Sequence, residues 1–228
     1  MSERIQVVTI DGPSGGGKST VSRELARKLG FTYLDTGAMY RAVAYGCLEA
    51  ELPAEESPAL DELLSDLEIV LQPGTGPDDD VQVFLNQREI GRLIRTPEMG
   101  MQASAYSALP MVRNFLTELQ QQMGAAGGLV AEGRDTGTVV FPEAAWKFYL
   151  DARAEIRMVR RAAQLRSQGV EVDEDQLLAQ IIKRDKDDSQ RRVAPLKQAE
   201  DAVYIDASTI SAGEVVARMY RQIVKGGK

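Results

Sequence analysis

The chain has 228 residues, 43% hydrophobic and 27% charged, enough to bury one compact core and incompatible with a fibrous or wholly disordered protein. It contains no histidine, which removes histidine general bases, Ser-His and Cys-His nucleophiles and most zinc sites. A net charge of −7 argues against nucleic acid or an anionic membrane as the main partner, so an anionic substrate needs locally clustered arginines.

The N-terminus, Met1-Ser2-Glu3-Arg4, lacks the basic-then-apolar order of a signal peptide, and no run of about 18 apolar residues follows, so a cytoplasmic protein without a membrane span is expected. The first element is a run of β-branched residues, Ile5, Val7, Val8 and Ile10, which reads as a buried strand. Beyond it, Val21, Leu25 and Leu29 recur four apart with charged residues between them, and Gly30 stands where that helix should stop. The joining segment Gly12-Pro13-Ser14-Gly15-Gly16-Gly17-Lys18-Ser19 matches the phosphate-binding pattern G-x-x-x-x-G-K-S in the strand-to-helix context that pattern requires. Glycines let the backbone curl so that its N–H groups point inward, and the helix adds its positive dipole end. Lys18 then reaches the β- and γ-phosphates and Ser19 offers a hydroxyl to Mg²⁺. A plain glycine turn with a capping serine is the alternative. The loop by itself names no reaction, since GTPases, motor ATPases and small-molecule kinases share it.

Residues 31–34 read as a strand ending at Asp35, and Arg41, six positions on near the start of a predicted helix, is placed to face the sheet edge where ligands bind; a surface ion pair is the alternative. The lone Cys47 lies in an apolar segment and reads as a small buried residue that cannot form an internal disulfide. Residues 53–95 break the strand-helix rhythm. Two apolar runs, 67–71 and 81–85, flank Gln72-Pro-Gly-Thr-Gly-Pro-Asp-Asp-Asp80, which suits an antiparallel pair in a small α+β insert with few buried contacts.

A third strand, 129–131, leads into Glu132-Gly133-Arg134-Asp135, where an arginine beside glycine at a strand end can grip a phosphate with its planar fork; a turn with compensating charges is the alternative. A fourth, 146–150, ends at Asp151 and is followed by a helix-like run carrying Arg157, Arg160 and Arg161. If 177–192 is helical, Arg184, Asp188 and Arg191 share a face, as two phosphate-holding cations around a carboxylate or as a solvated ion-pair face. The last strand, 203–205, precedes Asp206; Ser211 and Glu214 then have capping-box spacing before Val215, Met219 and Ile223 on one helical face, and the tail from Lys225 looks frayed. Short, unalternating strands separated by helices predict a parallel sheet covered on both faces.

Four blocks in register, Asp35-Thr36-Gly-Ala-Met-Tyr40-Arg41, Glu132-Gly-Arg134-Asp135-Thr-Gly-Thr, Arg184-Asp-Lys-Asp-Asp188-Ser-Gln-Arg191 and Val193-Ala-Pro-Leu196, together with the phosphate loop, resemble the bacterial cytidylate kinase family over most of the chain. The resemblance implies one α/β domain of the nucleoside monophosphate kinase fold, a five-stranded parallel sheet with an acceptor-binding insert at 53–95 and a lid and acceptor-binding helical region at 153–192. It implies phosphoryl transfer from ATP, with Mg²⁺, to CMP and dCMP, in pyrimidine nucleotide metabolism. It assigns 12–19 and Thr20 to ATP, Lys18, Arg157 and Arg161 to catalysis, and Thr36, Arg41, Ser104, Arg113, Arg134, Asp135, Arg184, Asp188 and Arg191 to CMP. Family members often carry Asp where this chain has Glu132. A monomer is expected. Kinases acting on UMP, AMP or shikimate remain open alternatives; a GTPase-like switch is weaker, because no N/T-K-x-D tetrapeptide occurs.

Overall fold

The computed structural model of the protein describes residues 6–74, 76, 81–167 and 169–226; Ile5, Thr75, part of the connector at 77–80 and the last two residues of the tail lie outside the described residues. The elements in chain order are β1 (Val7–Asp11), α1 (Lys18–Leu29), β2 (Thr32–Asp35), α2 (Thr36–Glu49), α3 (Pro58–Asp66), β3 (Ile69–Gln72), β4 (Gln82–Leu85), β5 (Arg88–Glu89), α4 (Pro97–Tyr106) and α5 (Pro110–Gly124). They continue with β6 (Leu129–Gly133), a π-helical turn (Thr136–Val140), β7 (Trp146–Asp151), α6 (Ala154–Ser167), α7 (Glu174–Gln190), β8 (Val203–Asp206) and α8 (Ala212–Gly226). Two compact units result: one runs to Tyr33 and resumes at Ala126, the other is Leu34–Ala125. None of the described helices is long and apolar enough to cross a membrane.

The first unit is built on a five-stranded sheet of order β2-β6-β1-β7-β8, so the expected parallel α/β architecture is present. β1 runs parallel to β6 and β7, with Asp11 opposite Gly133 and Tyr149 at its end, and β7 runs parallel to β8. Every residue of β1 and β6 is buried, which is why their sequences show apolar runs and no alternation. Val21 and Leu25 of α1 and Val215, Met219 and Ile223 of α8 pack with Val8, Ile10, Val130, Phe148 and Leu150; each such large side chain contributes about 1.5–3 kcal/mol by leaving water. α1 stops where expected, because Gly30 adopts the left-handed φ of 70° and its N–H returns to the carbonyls of Ala26 and Arg27. The capping box also forms: the Ser211 N–H donates to the Glu214 carboxylate at 2.9 Å and the Glu214 N–H to the Ser211 hydroxyl at 3.3 Å.

In the second unit, β3, β4 and β5 form an antiparallel sheet in which Ile69 faces Leu85. The predicted pair is there with a third, two-residue strand beyond it, reached through Asn86 and Gln87, both at positive φ, the backbone a tight hairpin turn needs. The expectation of few buried contacts is corrected: Leu60, Leu64, Val83, Ile90 and Ile94 are buried. This unit also reaches beyond 53–95, because α2 buries Ala38, Met39, Ala42, Val43 and Cys47 and packs on α4, α3 and α5. Cys47 is buried, as its apolar segment predicts, and burial pushes its thiol up to about 11.

Candidate active site

The carboxyl end of β1 opens directly into the glycine loop. Gly12 has φ of 148°, and a Cβ there would stand 2.0 Å from the Leu150 carbonyl oxygen of β7, so only glycine lets the loop lie against its neighbouring strand. Gly17, also left-handed, is the N-cap of α1. Lys18 follows as the first helical residue, and its ammonium donates to the carbonyls of Gly12 and Pro13 at 2.8 and 2.7 Å. Ser19 and Thr20 sit exposed in the same first turn. Burial, reinforced by the positive charge of Arg134, drives the Lys18 ammonium down to about 7, although Glu132, Asp11 and Asp188 pull the other way.

Arg134 and Asp135 lie just after β6. The Arg134 Nε donates to Asp188 at 2.8 Å, and Arg191 reaches Asp135 at 3.4 Å and Asp188 at 3.9 Å, so four of the predicted acceptor residues form one ionic network. Burial by itself would raise Asp188, yet the guanidinium groups of Arg134, Arg184 and Arg191 hold its carboxyl below the usual range. Arg184 shares α7 with Asp188. The predicted helix end is corrected here: α7 stops at Gln190, and Arg191 is its C-cap in extended conformation. Arg191 nonetheless stays within reach of Asp188, and its Nε donates at 2.6 Å to the carbonyl of Ala194, itself at a left-handed φ of 48°. Glu132 is buried and accepts a hydrogen bond from the Tyr33 hydroxyl.

The three α6 arginines take separate courses. Arg157 is buried; it donates to Ser14 of the loop at 3.0 Å and forms a two-pronged pair with Asp185 at 2.5 and 3.1 Å. Arg160 donates to the Ala207 carbonyl after β8 at 2.7 Å. Arg161 is half-buried and bonds Gln164 on its own helix.

In the second unit, Asp35 caps α2 by accepting from the Ala38 N–H at 2.8 Å and also pairs with Arg41 at 3.2 Å, so the ion pair foreseen as an alternative exists beside buried Thr36. Arg113 is buried, donates to the Ser107 carbonyl at 3.0 Å and lies 5.3 Å from the Tyr40 ring centroid. Ser104, on α4, accepts through its carbonyl from the Ser107 hydroxyl at 2.8 Å. Sequence reasoning missed the first unit's Tyr33, Asp185 and Asp11, which pair with Glu132, Arg157 and Thr136. Asp11 alone carried a signal, a carboxylate at the end of a mostly apolar strand and directly before the loop.

A family model described as cytidylate kinase matches residues 8–225. The cytidylate kinase of Carboxydothermus hydrogenoformans is 47% identical over 212 residues, 93% of this chain and 94% of that protein. That of Syntrophotalea carbinolica is 46% identical over 219 residues, covering 96% and 92%. A crystal structure of an uncharacterized protein from Eubacterium ventriosum, 11% identical, superimposes with a TM-score of 0.52 over 98% of this chain and 99% of that one, a likeness of fold alone.

Proposed function

The chain belongs to the cytidylate kinase family, and on that premise we propose that it transfers the γ-phosphoryl group of ATP to CMP and dCMP, with the loop 12–19 and Thr20 as the ATP cradle. The carrying observation is the gathering of cations beside the glycine loop: buried Lys18 donates to the Gly12 and Pro13 carbonyls, Arg134 follows the neighbouring strand β6, and the positive charge of Arg134 adds to burial in disfavouring the Lys18 ammonium, a cost that a polyanion relieves. The acceptor phosphate oxygen is already an anion, so it attacks the γ-phosphorus without a general base as the bond to the β-phosphate oxygen breaks and ADP leaves. A chain without histidine has no difficulty with that chemistry. Catalysis is then positioning plus neutralisation of spreading charge by Lys18, Arg157 and Arg161. Mg²⁺ arriving with ATP would supply further neutralisation at the β- and γ-phosphates; the exposed Ser19 hydroxyl in the first turn of α1 is the hard oxygen donor that suits it.

For the acceptor, Arg134 and Arg191 are assigned to the phosphate, Arg184 and Asp188 to the ribose and Asp135 to the base. By family membership alone, Arg41 is assigned to the acceptor phosphate with Thr36 as a polar contact, and Ser104 and Arg113 to the base. A cytoplasmic monomer is the accompanying reading; size-exclusion chromatography checks the monomer and cell fractionation the location. An ATP-coupled assay across CMP, dCMP, UMP and AMP tests the whole. Arg41→Met and Arg134→Met are each expected to cost about 2–5 kcal/mol in kcat/KM for CMP, because a charged hydrogen bond is lost while ATP affinity stays. Loss of ATP affinity with CMP use intact would reverse the assignment of the two sides.

A further inference from the structure

The glycine loop and the acceptor turn leave the sheet from adjacent strands, and one side chain ties them together. Asp11 ends β1 opposite Gly133 of β6; the residue after β1, Gly12, opens the loop, and the two after β6 are Arg134 and Asp135. The buried Asp11 carboxylate accepts from the Thr136 N–H at 2.8 Å and the Thr136 hydroxyl at 2.7 Å through one oxygen, and from the Gly137 N–H at 2.7 Å through the other. Both sides of this clamp are held. Gly12 is pressed on the Leu150 carbonyl, and Gly137 comes so near that a Cβ on it would meet the Thr9 hydroxyl at 2.7 Å.

We propose that Asp11 is a positioning residue for phosphoryl transfer: it fixes the span from the donor cradle to Arg134 and Asp135, and so sets the line along which the acceptor oxygen meets the γ-phosphorus. The inference rests on the assignment of Arg134 and Asp135 to CMP. Three charge-assisted hydrogen bonds from a single turn onto one carboxylate are directional in a way that apolar packing is not. An amide at position 11 keeps the shape but presents an NH₂ group to one of the backbone donors. The turn then shifts, and a displacement of about 1 Å at a reacting centre costs about 10²-fold in rate.

The test measures kcat and KM for CMP, equilibrium binding of a fluorescent ATP analogue and thermal unfolding in Asp11→Asn, Thr136→Val, Thr136→Ser and Arg134→Met. Asp11→Asn is expected to lower kcat about 10²-fold with analogue affinity retained. Thr136→Ser, which keeps the hydroxyl, should match the wild type, and Thr136→Val should fall between, which carries the test if Asp11→Asn does not fold. A folded Asp11→Asn with wild-type kcat overturns the inference. So does a kcat loss recovered by cooling the assay, since that reports stability alone, and so does a matching loss of analogue affinity, since Asp11 then shapes only the loop. Should Arg134→Met leave CMP use unchanged, the acceptor assignment fails and this inference with it; an impaired Arg134→Met beside a normal Asp11→Asn removes only the inference.

Discussion

Lys18 is the residue where burial and charge meet most sharply, and its titration gives a test independent of turnover. Its ammonium falls from 10.5 to about 7 in the folded chain, so between those values the unfolded chain holds one more proton than the folded one. The cost of burying the charge is present below about pH 7 and is relieved as pH rises through that window, where stability from this group increases. Triphosphate oxygens favour the ammonium again, so ATP binding within the window is expected to take up a proton. Calorimetry in two buffers of different ionisation enthalpy measures it; equal heats, or an uptake that persists in Lys18→Met, would contradict the account. Lys18→Ala should stay folded and lose at least about 10²–10³-fold in phosphoryl transfer, because its charge matters most where charge develops. Base choice is a second matter for single residues. Cytosine offers an amine donor where uracil offers a carbonyl acceptor, so Asp135→Ala should hurt CMP more than UMP and shrink the ratio of their specificity constants, by about 1–3 kcal/mol. An unchanged ratio would remove Asp135 from the base pocket.

At the level of elements, the two glycines that bracket the loop-and-helix unit separate a local requirement from a tertiary one. Both have positive φ, 148° for Gly12 and 70° for Gly30, but nothing lies within 4 Å of a Cβ on Gly30 while one on Gly12 would overlap the β7 backbone. Gly30→Ala is therefore expected to cost about 1–2 kcal/mol in stability, the price of the left-handed backbone, with ATP binding intact. Gly12→Ala must push the loop off β7 and should abolish ATP binding. Binding titrations and melting curves of the two variants decide this, and similar behaviour in both would show that the contact at Leu150 yields easily.

For the whole molecule, the second unit's own buried set, Leu60, Leu64, Val83, Ile90 and Ile94, makes it a cooperative body and not a loose insertion. Its strands are shorter and less buried than β1 and β6, so a sub-global opening below the global free energy is expected. Native-state hydrogen exchange against denaturant should give one shared isotherm for α2, β3 and β4 and a higher one for the central sheet. A single isotherm throughout would mean one cooperative body. CMP should raise the protection of the second unit, since ligands stabilise whichever state binds them.

The sequence by itself determined what depends on neighbours along the chain. The strand, glycine loop and helix at 7–29 were legible because buried strands, phosphate cradles and helix stops have local signatures, and so were the capping box at Ser211 and Glu214 and the strands ending at Asp35, Asp151 and Asp206. Family motifs placed the proposed acceptor residues in order but said nothing of their bonds. What only the tertiary structure decided are the pairings across long stretches of chain: Arg134 with Asp188, Arg157 with Ser14 and Asp185, Tyr33 with Glu132, and Asp11 with Thr136 and Gly137. Arg191 shows the limit most plainly: its spacing accounts for the approach to Asp188, but its pairing with Asp135, 56 residues away, follows from where α7 ends and extended backbone begins. A period of 3.6 fixes which residues share a face only while the helix lasts, and which carboxylate meets which cation depends on strand order, a property of the folded sheet and not of any segment of sequence.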